Sequence, residues 1–114
     1  MSYRRGDVVL VIYPDSTLKT YKLRPALVVQ ADGLATGLPQ HIVAMITSNL
    51  TRMGDTRVVV SLASPEGRSM GTATDSVIVT DNLATVHETA IARVIGTCPI
   101  MVKVDAALRK TLGL

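Results

Sequence analysis

The chain has 114 residues, of which 47% are hydrophobic and 3% aromatic, with neither Phe nor Trp. This length supports one hydrophobic core and predicts a single domain over residues 1–114. The net charge of +3 suits an anionic partner, whereas the scarcity of aromatic side chains counts against a single-strand binder that works mainly by base stacking.

Cysteine usage and the first apolar run predict a cytoplasmic protein. Cys98 is the only cysteine, so no internal disulfide can form and nothing requires an oxidising compartment. The apolar run at 8–13 is broken by Pro14 and is too short for a signal-peptide core or a membrane span. We therefore expect no membrane association.

Strand-like segments follow one another at short intervals along most of the chain. Apolar, β-branched runs bounded by Gly, Pro, Asp or Asn are typical of strands. Pro65 and Gly71 are expected to break the chain between two of these runs. The runs lie at 8–13, 25–31, 41–47, 56–62 and 75–81, with a weaker one at 89–95.

The hydrophobic period changes near the C-terminus to about 3.6 residues, which predicts a terminal helix. Thr97 or Cys98 is the expected N-cap, Pro99 suits the first turn, and Gly113 is expected to end the helix. Five or six strands followed by one helix predict a strongly bent, mainly antiparallel sheet or small barrel with the helix packed on it. The apolar helix face consists of Met101, Val104, Ala107, Leu108 and Leu112.

Motifs for metal, nucleotide and covalent chemistry are missing from the sequence. His41 and His87 stand far apart, and no His–Cys group has metal-ligand spacing. There is no Gly-rich phosphate loop and no nucleophile elbow, and Cys98 is expected to be a buried structural thiol. The sequence predicts no metal and no cofactor, which leaves arginine, hydroxyl and carboxylate side chains for any chemistry.

Arg24, Thr47 and Ser48 form the first candidate site. Proline restricts the residue before it, so Arg24 is held extended at the expected start of the second strand. In an antiparallel meander that point and the end of the third strand, at Thr47, share an edge. A guanidinium beside two hydroxyls suits a phosphate, although turn chemistry and a solvated arginine explain the same residues.

Asp81 is expected to end the fifth strand.

Five blocks of the chain, in this order and spacing, carry a family resemblance: RRGDVVLVIYPD, RPALVVQAD, IVAMITSN, DSVIVTDNLATV and VDAALRKTLGL. They resemble the MazF/PemK (Kid-like) toxins of type II toxin–antitoxin systems, from Arg5 to Leu114. The resemblance implies an SH3-like barrel with a C-terminal helix, assembled as a homodimer. It also implies a metal-independent endoribonuclease that cleaves single-stranded RNA at short sequences and is neutralised by a cognate antitoxin.

The resemblance also assigns roles to individual residues. Arg24 matches the family's arginine before proline, Thr47 its catalytic threonine, and Ser48 a neighbouring position that helps to hold the phosphate in some members. The implied mechanism is attack of a ribose 2′-OH on the adjacent phosphate, which leaves a 2′,3′-cyclic phosphate and a 5′-OH, while Arg24 and Thr47 stabilise the developing charge. The expected substrate-binding residues are Lys19, Lys22, Asn49, Arg52 and Asp81. The two lysines and the arginine are equally consistent with solvated side chains that bind nothing.

Two positions depart from the family pattern. Lys19 stands where the loop before Arg-Pro usually has an acidic residue, and Val79 stands where one branch has an arginine that acts with the aspartate at position 81. The general base is therefore open between Asp81, Asp15 and His41, each of which also has a structural interpretation. Cut-site specificity is expected in the loops 14–23 and 48–55.

Two non-catalytic interpretations of the same fold stay open. A CcdB-like gyrase poison would act by binding, but the chain ends in Leu-Gly-Leu and has no tryptophan for the Trp-Gly-Ile contact of that group. A degenerate module that only binds a partner is supported mainly by Lys19 and Val79. The presence of both Arg24 and Thr47 favours the nuclease.

Overall fold

The computed structural model describes residues 3–14, 19–51 and 53–114. Within these ranges the chain forms six strands, two α-helices and a short 3₁₀ turn at Glu88–Ala90. The strands are β1 (Asp7–Pro14), β2 (Tyr21–Val28), β3 (Gln40–Thr47), β4 (Arg57–Val60), β5 (Ser76–His87) and β6 (Ile91–Thr97), and the helices are α1 (Pro65–Met70) and α2 (Met101–Leu112).

All six strands belong to one antiparallel sheet with the order β4-β5-β3-β2-β1-β6. The long strand β5 pairs with β3 along most of its length and with β4 over its first four residues. The predicted fold class, a strongly bent antiparallel sheet with a C-terminal helix, is confirmed.

Apolar side chains cover both faces of the sheet, because successive residues of a strand point to opposite sides. Along β1, Val8 enters the core that faces α2, whereas Val9 and Val11 enter the core on the other face. Helix α2 buries Val104 and Ala107 in the first of these cores. The bent sheet is therefore held by one core beneath the helix and a second core on its opposite face.

Helix α2 confirms the predicted terminal helix but begins later than predicted. Ile100 is its N-cap residue, without a side-chain capping bond, so the prediction of Thr97 or Cys98 as the cap is wrong. Thr97 still belongs to β6, and the Cys98 N–H donates to the Gly6 carbonyl at 2.8 Å, so both residues lie before the start of the helix. The predicted stop at Gly113 is confirmed by its left-handed conformation. Leu112, at the end of the predicted apolar face, is exposed.

Helix α1 replaces the predicted chain break at 65–71. Ser64 accepts a hydrogen bond from the Gly67 N–H at 3.1 Å, and Pro65 occupies the first turn, where its missing N–H costs nothing. Met70 is fully buried in the core beneath α2. This short helix packs against β6, at the far edge of the sheet from β4, and so helps to close the bent sheet.

Two strand boundaries differ from the sequence prediction near the candidate residues. β2 begins at Tyr21, so Arg24 and Pro25 lie within the strand, paired with Val11 and Leu10 of β1, and do not open it. β5 continues to His87 and does not end at Asp81.

Neither helix in the described ranges combines the length and apolar character needed to cross a bilayer.

Candidate active site

β2 and β3 separate at one end of their ladder, and this fork contains Arg24 and Thr47. The two strands pair over three positions, of which the outermost joins Ala26 with Met45. Arg24 and Thr47 each lie two residues beyond that pair, on the two sides of the fork. Both line one cavity of about 530 Å³, so the structure brings them together as the meander predicts.

This cavity, called the Arg24 cavity below, combines cations with hydroxyl groups. Its charged lining residues are Lys22, Arg24 and Arg93, and no carboxylate lines it within the described part of the chain. The hydroxyl groups belong to Thr47, Ser48, Thr72, Thr74 and Ser76. Such a surface attracts anions and offers hydrogen-bond donors to phosphate oxygens.

The hydroxyl of Thr47 is positioned by a local turn. Its Oγ1 accepts a hydrogen bond from the Asn49 N–H at 3.1 Å. The Asn49 Oδ1 accepts in turn from the N–H and the hydroxyl of Thr51, at 3.1 and 2.7 Å. Because Thr47 Oγ1 is the acceptor in its turn, the hydroxyl proton points away from Asn49 and can be donated to a ligand.

Asp81 lies in a bulge in the middle of β5. Ala44 of β3 pairs with Leu83, whereas the next residue, Met45, pairs with Val79. Residues 80–82 of β5 therefore have no counterpart on β3. Bulges re-aim side chains and are frequent beside functional sites. Asp81, which was predicted to end the fifth strand, lies in this bulge instead, and β5 continues beyond it.

An arginine from the neighbouring strand holds the Asp81 side chain. Arg57 of β4 stands opposite Val79, and its Nη2 lies 3.4 Å from each Asp81 carboxylate oxygen. The hydroxyl of Thr56 also donates to Asp81, at 3.1 Å. Val79 occupies the position where the resemblance implies an arginine in one branch, and Arg57 brings a guanidinium to the same aspartate from β4.

Arg57 and Asp81 line a second cavity of about 550 Å³, called the Asp81 cavity below. Met45, Val79 and Arg57 are cross-strand neighbours, so they lie in a row on the same face of the sheet. The full lining consists of Met45, Thr47, Asn49, Arg57, Val79, Asp81 and Asn82. Thr47 lines both cavities and stands at the junction between them.

Tyr13 connects the Arg24 side of the fork to the core. Its hydroxyl donates to the Met45 sulfur at 2.8 Å. Burial raises the pKa of the Tyr13 phenol above its usual value, and the positive charge of Arg24 opposes that rise. The phenol therefore lies within electrostatic reach of Arg24 while its ring packs in the core opposite α2.

His41 is not part of this site. It is the second residue of β3, at the opposite end from Thr47 and about 20 Å away at the rise per residue of a strand. Its side chain is buried, its Nε2 lies 3.1 Å from Glu88 Oε1, and its ring makes an edge contact with Tyr3. His41 therefore lines neither cavity, and its contacts favour the structural interpretation over the role of general base.

The other predicted residues fall into three groups. Lys22 and Ser48 line the Arg24 cavity, and Asn49 and Asp81 line the Asp81 cavity. Lys19 is exposed and lines neither cavity. Asp15 and Arg52 lie outside the described residues. Across the ranges that the structure describes, no three His, Cys, Asp or Glu side chains converge as metal ligands would.

Sequence reasoning missed Arg57 and Arg93. Each is a polar residue in a short strand of β-branched residues, Arg57 beginning β4 and Arg93 within β6. Such positions usually face solvent, and only the pairing of β4 with β5 and of β6 with β1 brings them to the cavities. The alternation of Arg57 with the buried Val58 is the one sequence signal, because it places the arginine on the face away from that core.

Several solved structures share this fold, and three of them are described as a toxin or as a complex with an antitoxin. A mycobacterial endoribonuclease in complex with its cognate antitoxin has a TM-score of 0.74 at 23% identity and covers 99% of this chain and 97% of its own. The Mycobacterium tuberculosis toxin MazF-mt6 has a TM-score of 0.73 at 22% identity, with 95% and 97% covered. A MazE–MazF structure from Deinococcus radiodurans has a TM-score of 0.76 at 15% identity, with 100% and 99% covered.

The family model for the PemK-like, MazF-like toxins of type II toxin–antitoxin systems matches residues 4–112. The chain therefore belongs to this family, which confirms the resemblance seen in the sequence. A search of curated proteins finds no match to the chain.

Proposed function

We propose that this toxin is a metal-independent endoribonuclease that cleaves single-stranded RNA, with Arg24, Thr47 and Ser48 as its catalytic residues. The observation that carries the proposal is the shared position of Arg24 and Thr47 at the β2–β3 fork. The cavity there is lined by three cationic side chains and, among the residues that the structure describes, by no carboxylate. Family membership supports it, as does the description of a mycobacterial structural relative as an endoribonuclease.

The mechanism begins with one RNA phosphate in the Arg24 cavity. The Arg24 guanidinium binds the non-bridging oxygens, and the Thr47 hydroxyl donates to the same phosphate. The neighbouring ribose 2′-OH attacks phosphorus and loses its proton, while the bond to the 5′-oxygen breaks and that oxygen gains a proton. The products are a 2′,3′-cyclic phosphate and a 5′-OH. Removing one such donor costs about 10²–10³ in rate.

Asp81 is assigned to substrate binding and not to proton transfer. Two of the three candidate bases, Asp81 and His41, lie in the described ranges. Of these two, only Asp81 shares a cavity with Thr47. Its carboxylate oxygens already accept from the Arg57 guanidinium and the Thr56 hydroxyl. Arg24 and Thr47 therefore act mainly by stabilising charge on the phosphate.

Two protein partners belong to the proposal, a second copy of the chain and an acidic antitoxin. Ile12 and Leu23 face each other across β1 and β2 and are 38% and 49% exposed. Leu23 also lines the Arg24 cavity, so an apolar dimer contact can adjoin the site. The mycobacterial relative is bound to its cognate antitoxin, and the cationic cavity here suits an acidic antitoxin segment. We place this activity in the cytoplasm, where RNA is the available substrate.

The test is cleavage of a long single-stranded RNA by purified protein in the presence of EDTA. Wild type should release discrete fragments with cyclic-phosphate and 5′-OH ends. Arg24→Ala and Thr47→Ala should lose about 10²-fold or more in rate while remaining folded. Arg109→Ala removes an exposed arginine of α2 that lines neither cavity and should cut normally. No cleavage by folded wild type would overturn the nuclease and favour a non-catalytic binding role.

A further inference from the structure

The two cavities that meet at Thr47 differ in charge. The Arg24 cavity has three cationic lining residues and no described carboxylate. The Asp81 cavity has one cation, Arg57, and one anion, Asp81, which form an ion pair. A phosphate suits the first cavity, whereas in the second it would lie against the Asp81 carboxylate. A strand of RNA that crosses Thr47 therefore meets a surface for its backbone on one side and a neutral cavity on the other.

The lining of the Asp81 cavity matches a flat, polar-edged ligand. Met45 and Val79 supply apolar surface side by side on the sheet. Asn49 and Asn82 supply amide groups, which both donate and accept hydrogen bonds. A nucleobase has this combination of an apolar face and a polar edge, and single-stranded RNA is read by hydrogen bonds to such edges.

Arg57 retains hydrogen-bonding capacity for a ligand. Its side chain is 15% exposed, and within the described residues its Nη2 contacts only Asp81, at the long distance of 3.4 Å. A guanidinium has five N–H donors, so those of Nε and Nη1 remain available in the described part of the chain. The more exposed Asp81 carboxylate can also accept further bonds, since it has about four lone-pair sites.

We propose that the Asp81 cavity is a base-recognition pocket for guanine next to the cleaved phosphate, read by Arg57 and Asp81. Arginine pairs well with the O6 and N7 acceptors of guanine. The N1–H and N2–H₂ donors of guanine lie side by side and match the two oxygens of one carboxylate. The proposal rests on the proposed nuclease function and places specificity on β4 and β5, in addition to the loops expected from the sequence.

The test compares RNA substrates that differ only at the base beside the cut. Wild type should cut a random RNA library with guanine enriched at that position. Replacing guanine by inosine removes only the 2-amino group and should lower the cleavage rate by roughly tenfold. In Asp81→Asn, guanine and inosine should be cut at equal rates. Arg57→Ala should lose the guanine preference, whereas Arg109→Ala should retain it.

A second measurement separates this inference from the nuclease proposal. Non-cleavable 2′-O-methyl RNAs with each of the four bases at the tested position are titrated against folded wild type and against Arg57→Ala. Tighter binding of the guanine RNA by wild type alone would support the pocket even if no RNA is cut. Equal affinity for the four bases, or no binding, would overturn it. Cleavage without guanine enrichment would overturn the pocket and leave the nuclease standing.

Discussion

Gly71 and Gly96 face each other where the end of α1 meets β6, and neither position has room for a side chain. A Cβ at Gly71 would overlap with the carbonyl of Ile95, and a Cβ at Gly96 would overlap with the carbonyl of Met70. Gly71 also lines the Arg24 cavity, together with Thr72 and the residues that follow. The close backbone approach between α1 and β6 therefore holds one wall of the candidate active site.

Gly71→Ala is expected to destabilise the protein much more than Gly37→Ala. Both glycines have a φ of 74°, so both substitutions carry the same left-handed strain of about 1–2 kcal/mol. Gly37 has open space around its Cβ position, whereas Gly71 does not, so overpacking adds about 1–3 kcal/mol at Gly71 alone. Urea unfolding measures both variants, and equal losses would contradict the described approach.

Arg5 connects three parts of the fold. Its Nη2 lies 2.5 Å from Asp105 Oδ1 of α2, and its Nε donates to the Val29 carbonyl at 2.9 Å. Because the group is partly buried and charged, Arg5→Ala should lower the free energy of unfolding by about 1–3 kcal/mol. Arg4→Ala, at an exposed side chain, is the matched control and should change it by less than about 0.5 kcal/mol. Similar losses in both variants would rule out the anchoring role.

Lys22 and Arg93 are expected to contribute to RNA binding through phosphate contacts in the Arg24 cavity. Each contact to single-stranded RNA contributes about −0.7 to the slope of log K against log salt. Lys22→Ala and Arg93→Ala should each make that slope less negative by about 0.7, as measured with a non-cleavable RNA. Lys110→Ala removes an exposed lysine of α2 and should leave the slope unchanged. An equal change of slope in this variant would show that binding depends only on net charge.

Stability is expected to fall at alkaline pH because of Cys98 and Tyr13. Burial raises the pKa of the Cys98 thiol above its usual 9.0 and that of the Tyr13 phenol above its usual 10.0. The folded state therefore keeps these protons at a pH where the unfolded state releases them. The resulting stability is fully present below the unfolded pKa values and is lost as pH rises through the folded ones.

Urea unfolding at a series of pH values from about 7 to about 11 measures this effect. Cys98→Ala should flatten the first part of the decline, and Tyr13→Phe the later part. Tyr21→Phe, at a tyrosine that is 68% exposed, should follow wild type. A wild-type curve that stays level to the alkaline end would show that burial of the two groups does not control stability there.

Much of the fold could be predicted from local sequence features. Val-rich runs indicated the strands, and the change of period after Gly96 indicated α2, because both patterns record which side chains are buried. Helix α1 was missed since its six residues contain a proline and a glycine, and it is held by a Ser64 cap and by buried Met70. Local propensity carries little information about an element that short.

The candidate site could be predicted only where its residues follow the chain. Arg24 and Thr47 were predicted as neighbours, since antiparallel pairing of consecutive strands relates them directly. The partner of Asp81 was not predicted, because Arg57 reaches it through a strand pair whose register no local pattern gives. The bulge at 80–82 was mistaken for a strand end, since an unpaired Asp-Asn pair has the composition of a turn.

The sequence by itself determined the antiparallel β class, the terminal helix, the family and the arginine–threonine pair at the β2–β3 fork. These depend on periodicity and on short segments in a fixed order. Only the tertiary structure decided that Arg93 joins the cationic cavity, that Arg57 holds Asp81, and that His41 stands apart from the site. Such relations depend on register and on the curvature of the sheet, which result from long-range packing of both cores.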